Sequence, residues 1–89
     1  MPSGRTPRPP GAARLGQRLG QVIRQRREAL DPIRSAVEVA REARLSVDAL
    51  RKIERGEIAD PGFFTVIRVC RVLKLSAAEI ERAALGRRR

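Results

Sequence analysis

Apolar side chains recur at Leu15, Leu19, Val22, Ile23 and Leu30, the three-and-four spacing of an amphipathic helix. They predict a first helix over about residues 13–29, whose other face carries Arg14, Arg18, Arg24 and Arg26. Gly16 and Gly20 interrupt it, each weakening an isolated helix by about 1 kcal/mol against alanine. Asp31 and Pro32 then break the chain, because proline disfavours helix at the residue before it. A second helix is predicted over about residues 36–43. Ser35 caps it with Glu38 as capping-box partner, and Val39, Ala40 and Ala43 face inward. A third follows from Ser46, whose hydroxyl suits an N-cap, and ends at Gly56, a residue suited to the left-handed helix stop. Its inward pair is Leu50 and Ile53. Asp60 and Pro61 read as the cap and first position of a fourth helix, running to about Lys74 with Phe63, Val66, Ile67, Cys70 and Leu73 along one stripe. Ser76 and Glu79 open a fifth, with Ile80 and Ala84 inward.

The expected fold is therefore one all-α domain of five helices over residues 13–85. Residues 1–12 hold Pro2, Pro7, Pro9 and Pro10 with Arg5 and Arg8, and have little to bury. They read as a disordered basic arm. Residues 86–89 form a basic tail, so both ends are disordered and basic.

Charge narrows the function. The net charge is +10, and arginine far outnumbers lysine. That balance favours a polyanion, either nucleic acid or an anionic membrane surface. The membrane reading fails, because tryptophan is absent and no sustained apolar helix face is left free. No apolar run approaches the roughly 18 residues of a spanning helix, and the N-terminus has no apolar core of a secretory signal. Cys70 is the only cysteine, which excludes an intramolecular disulfide and fits a reducing, intracellular setting. On the fourth helix it reads as a small core residue. There is no histidine, and no acid–base or metal-ligand cluster stands out. No catalytic residue, metal or cofactor is expected, and the chain does not read as an enzyme.

The third helix carries the functional question. Two apolar anchors cannot hold so short a helix in water, so it must dock on others. Arg51, Lys52 and Arg55 leave it a basic outer face.

Residues Ala40 to Ser46, followed by Leu50, Ile53, Glu54, Arg55 and Gly56, resemble the helix-turn-helix of the lambdoid-repressor-like DNA-binding family, the Cro/C1 or XRE type. The likeness extends back to Leu19, Gly20, Ile23, Arg24 and Arg27. It extends forward through Asp60, Pro61, Val66, Ile67, Cys70, Leu73, Leu75 and Ser76. The resemblance implies sequence-specific binding to double-stranded DNA, by a bacterial or phage transcriptional regulator. The third helix would enter the major groove, with Val47, Asp48, Arg51 and Lys52 toward the bases and Ser46 and Arg55 near phosphates. It implies a structural ion pair between Arg27 and Glu54, and a homodimer on a palindromic operator. Two positions depart from the family pattern. Ala36 stands where a phosphate-binding glutamine is frequent. Arg44 stands where glycine is usual, so it either takes the left-handed conformation or bends the turn differently. These departures, with Asp48, Glu57 and Asp60, support a rival reading. In it the same fold is a protein-interaction module, antitoxin-like or serving a transcription component, that docks a protein partner.

Overall fold

A computed structural model describes residues 12–58 and 61–84. The helices are α1 (Ala12–Ala29), α2 (Ala36–Glu42), α3 (Val47–Glu54), α4 (Phe63–Leu73) and α5 (Ala77–Ala84). The expected all-α five-helix domain is what forms. The arm expected over residues 1–12 and the tail over 86–89 lie outside the described residues, except that α1 already begins at Ala12.

α1 is the spine. It packs against α3, α5 and α4, while α2 packs against α3 and α4. Ile23, Val39, Ala40, Ala43, Leu50, Ile53, Val69 and Leu73 close the core between them. Ala40 is small and buried where α2 packs on its neighbours.

The helix ends follow from side-chain chemistry. Ser35 Oγ accepts from Glu38 N–H at 3.1 Å, and Glu38 Oε1 accepts from Ser35 N–H at 3.1 Å. Ser76 and Glu79 repeat the same reciprocal cap on α5. Ser46 Oγ accepts from Ala49 N–H at 3.0 Å at the start of α3. Three helices stop by one device. Leu45 N–H reaches back to Ala40 O, Glu57 N–H to Lys52 O and Leu75 N–H to Cys70 O, each across a left-handed residue. That residue is Gly56 at φ 75, as expected, but Arg44 at φ 62 and Lys74 at φ 58 in the other two. A side chain there costs about 1 kcal/mol. A cation near a helix C-terminus recovers part of it through the helix dipole. α2–turn–α3 and α4–turn–α5 thus share one geometry: a left-handed cation, a leucine and a serine cap.

Three expectations need correction. α4 starts at Phe63 with Gly62 as its N-cap, so Pro61 lies outside the helix, and Asp60 falls outside the described residues. Glycine is an acceptable N-cap, and its carbonyl already accepts from Val66 N–H at 3.0 Å. The α4 stripe is also turned. Val69 is fully buried, while Phe63 is 69% exposed and Ile67 39% exposed. With 100° between successive residues, Val66, Val69, Cys70 and Leu73 share a face that leaves Phe63 and Ile67 toward its edge and beyond.

The third correction concerns Arg26, which sequence spacing places on a free basic face with Arg14, Arg18 and Arg24. It turns instead toward α4 and α5. It donates to the carbonyls of Leu73 and Lys74 at 3.3 Å each and pairs with Glu79. It caps the C-terminus of α4, whose last carbonyls have no partner within the helix. Gly20 has a role beyond its helix propensity. Sequence marks it only as a weak helix residue, but it lies where α1 crosses the end of α3, directly on the backbone of Ile53 and Glu54.

Candidate nucleic-acid interface

α3 is held from two sides. Leu50 and Ile53 enter the core, and Glu54 is buried behind them. Arg27 on α1 meets Glu54 in a fork: Nε donates to Oε2 at 2.8 Å and Nη2 to Oε1 at 2.9 Å. The third nitrogen, Nη1, donates to Arg34 O at 3.0 Å, which also ties down the segment leading into α2. The bond to Glu54 lifts the Arg27 guanidinium above its ordinary value, against the opposing effect of burial. One arginine therefore fixes α3 and the entry to α2 relative to α1.

Held this way, α3 turns one face outward. Asp48, Arg51, Lys52 and Arg55 fall at i, i+3, i+4 and i+7 and are all exposed. Ser46 is exposed at the N-cap, its hydroxyl engaged by Ala49 N–H. Val47 is half-buried and packs against the core, so only part of it faces outward. The structure thus brings Asp48, Arg51, Lys52 and Arg55 together and leaves Val47 at their margin.

The charges on this face are partly matched. Lys52 Nζ lies 3.3 Å from Asp48 Oδ2. Arg55 Nε lies 2.6 Å from Glu57 Oε2. That bond lowers the Glu57 carboxyl and raises the Arg55 guanidinium from their ordinary values. Both pairs are exposed, so each is worth at most about 1 kcal/mol and can open when a competing anion arrives. Among the described residues, Arg51 has no side-chain partner.

Arg51 also lines a recess of about 340 Å³ where three helices meet. Arg24 and Arg27 enter it from α1, Ser35 and Ala36 from the start of α2, and Arg55 from α3. Arg24 belongs to this group, although spacing alone marks it only as part of a diffuse basic face; its Nε also pairs with Glu28 at 3.2 Å. A reader of the sequence could have found it from its place one helical turn before Arg27. Among the described residues no cluster of acidic, cysteine or histidine side chains could hold a metal ion. No helix there is long and apolar enough to cross a membrane.

The family model described as a helix-turn-helix domain matches residues 18–83. No curated protein matches the chain.

Proposed function

The chain belongs to the helix-turn-helix domain family, a match consistent with the Cro/C1-like type, and from that premise we propose that it binds double-stranded DNA in a sequence-specific manner, with α3 in the major groove, as a bacterial or phage transcriptional regulator. The observation that carries this reading is the outward face of α3. Asp48, Arg51, Lys52 and Arg55 project from a helix that is capped, docked and braced by Arg27. The major groove admits one α-helix, and its base edges present distinct donors and acceptors. Arg51 and Lys52 suit guanine O6 and N7, and Asp48 suits a cytosine amino group. Ser46 and Arg55 lie at the two ends of the face, where phosphates flank the groove.

The reading includes a homodimer on a palindromic site and a cytoplasmic, nucleoid-associated location. Phe63 and Phe64, 69% and 72% exposed, support a contact between copies at the start of α4. They lie in residues 61–67, a stretch without a charged side chain in a chain of net charge +10. Two copies can meet there with the least repulsion.

A second reading has one observation in its favour. Asp48 and Glu57 already face two of the three α3 cations. A docked protein, antitoxin-like or serving a transcription component, would also fit such a mixed-charge face. Selection from a random duplex library followed by sequencing separates the two. Enrichment of a palindrome supports the DNA reading. No enriched sequence, together with a defined protein partner, supports the rival.

A further inference from the structure

A second cluster of guanidinium groups lies away from the outward face of α3. Arg44, in the turn after α2, and Arg68 and Arg71, on α4, line a cleft of about 480 Å³ with Glu42 and Val72. No α3 residue lines it. Arg68 is fixed in place: its Nε donates to Ala43 O at 2.9 Å, and no other hydrogen bond engages its side chain among the described residues. Arg44 and Arg71 are exposed and carry no ion pair there. The carboxylate at the rim, Glu42, is engaged by Arg34 instead. By contrast Arg24, Arg26, Arg27, Arg34 and Arg55 all meet carboxylates. Three positive charges therefore share one concavity with a single carboxylate, which Arg34 already engages.

Arg44 occupies a left-handed position, φ 62, where glycine is the least strained residue. Its favourable interaction with the α2 dipole is shared, because Arg41 already stands in the last turn and Arg68 already donates to the carbonyl of Ala43. The left-handed conformation is the helix stop that Lys74 repeats after α4, so what Arg44 adds to the cleft is its charge and not its conformation.

We propose that the Arg44–Arg68–Arg71 cleft is a second phosphate site, taking a backbone phosphate of the same DNA duplex that α3 enters. This rests on the reading of α3 as the groove helix. Arg44 stands two residues before Ser46, the N-cap of α3, so the cleft adjoins the N-terminal end of that helix. Guanidinium groups bind phosphate oxygens through paired N–H donors. A duplex presents such oxygens along both edges of its major groove. An acidic peptide offers the same kind of acceptor, but nothing in the position of the cleft calls for one.

The test is the salt dependence of duplex binding by the full chain, for the unaltered protein, Arg71→Ala, Arg44→Gly and Arg82→Ala. Arg82, exposed on α5, controls for the general loss of one charge. Each cleft substitution should reduce the log–log salt slope by about one unit, and Arg82→Ala by much less. Preference for a selected over a scrambled duplex should stay unchanged, because phosphate contacts position without reading. Arg44→Gly should keep or raise the melting temperature, which removes misfolding as an explanation. An unchanged slope in both cleft variants, with the unaltered protein still binding DNA, overturns the site. So does an equal fall with Arg82→Ala. So does binding of polyglutamate that the cleft substitutions abolish while the DNA slope stays unchanged, which assigns the cleft to an acidic protein. If the unaltered protein fails to bind any duplex, the α3 reading falls first and the cleft with it.

Discussion

A β-carbon on Gly20 would lie 2.2 Å from the carbonyl oxygen of Ile53 and 2.8 Å from that of Glu54. Both obstacles are backbone, so neither can swing aside. The crossing of α1 over the end of α3 therefore depends on the missing side chain, and with it the aim of the α3 outer face. In an isolated helix Gly20→Ala would stabilise by about 1 kcal/mol. Here it should destabilise, by about 1–3 kcal/mol, as overpacking does. Urea unfolding of the two proteins decides the sign; a more stable variant would mean that α1 and α3 part without cost.

Arg27 and Glu54 hold the same crossing from the side. Their side chains are 13% and 6% exposed, and the guanidinium forks onto the carboxylate. Removing one charge of such a pair strands the other in a dry setting, at a cost of about 3 kcal/mol. Glu54→Gln should lower the melting temperature clearly more than Glu79→Gln, whose partner Arg26 is more open to water. Equal small shifts in the two melting curves would show that the fork adds little.

The helix caps set an acid limit on stability. The backbone N–H of Ser35 holds the Glu38 carboxyl below its ordinary value, and that of Ser76 does the same for Glu79. A depressed folded value means that each cap contributes above the unfolded carboxyl value of about 4.3. The contribution is lost as pH falls below that and through the folded value. Stability should therefore decline on acidification, and the double variant Glu38→Gln/Glu79→Gln should start lower but fall less steeply over that window. Thermal melts at stepped pH measure both slopes; parallel curves would mean that the caps do not titrate with folding.

The core of α4 gives a direct contrast. Leu73 is fully buried, and Phe63 is mostly exposed. Leu73→Ala should cost about 2–5 kcal/mol. Phe63→Ala, the larger truncation, should cost no more than about 0.5 kcal/mol in the monomer. Chemical denaturation at low protein concentration separates them, and a large loss at Phe63 would return it to the core.

That contrast also marks where the sequence was legible. α2, α3 and α5 could be read closely because each carries a cap residue and a few apolar positions on one side. Ser35 with Glu38, Ser46 and Ser76 with Glu79 mark starts that the structure keeps. The α4 stripe was misplaced, because eight of the eleven positions from Phe63 to Leu73 are apolar and more of them fit one side of the helix than the core covers. Arg26 and Gly20 were hidden for another reason. Their roles depend on which carbonyls another helix brings within reach, and spacing within α1 carries no trace of that. Arg44 had two outcomes open from sequence, and the left-handed one occurs. On α3 the outward residues, and the placing of Asp48 beside Lys52, were legible from the helical period, but the pairing of Arg55 with Glu57 across the helix end was not.

The central claim is that α3 reads bases, and titration of Asp48→Asn and Lys52→Ala against selected and scrambled duplexes at one fixed salt concentration tests it most directly. Lys52 Nζ and Asp48 Oδ2 are 3.3 Å apart on the exposed face, so both variants alter one small area without touching the core. Lys52→Ala should weaken the selected duplex by about 1–3 kcal/mol, with a smaller loss on the scrambled one. Asp48→Asn removes a charge that DNA repels, so it should strengthen scrambled binding and shrink the preference for the selected site. Equal factors on both duplexes for both variants would contradict the claim, and α3 would then contact the duplex without reading it.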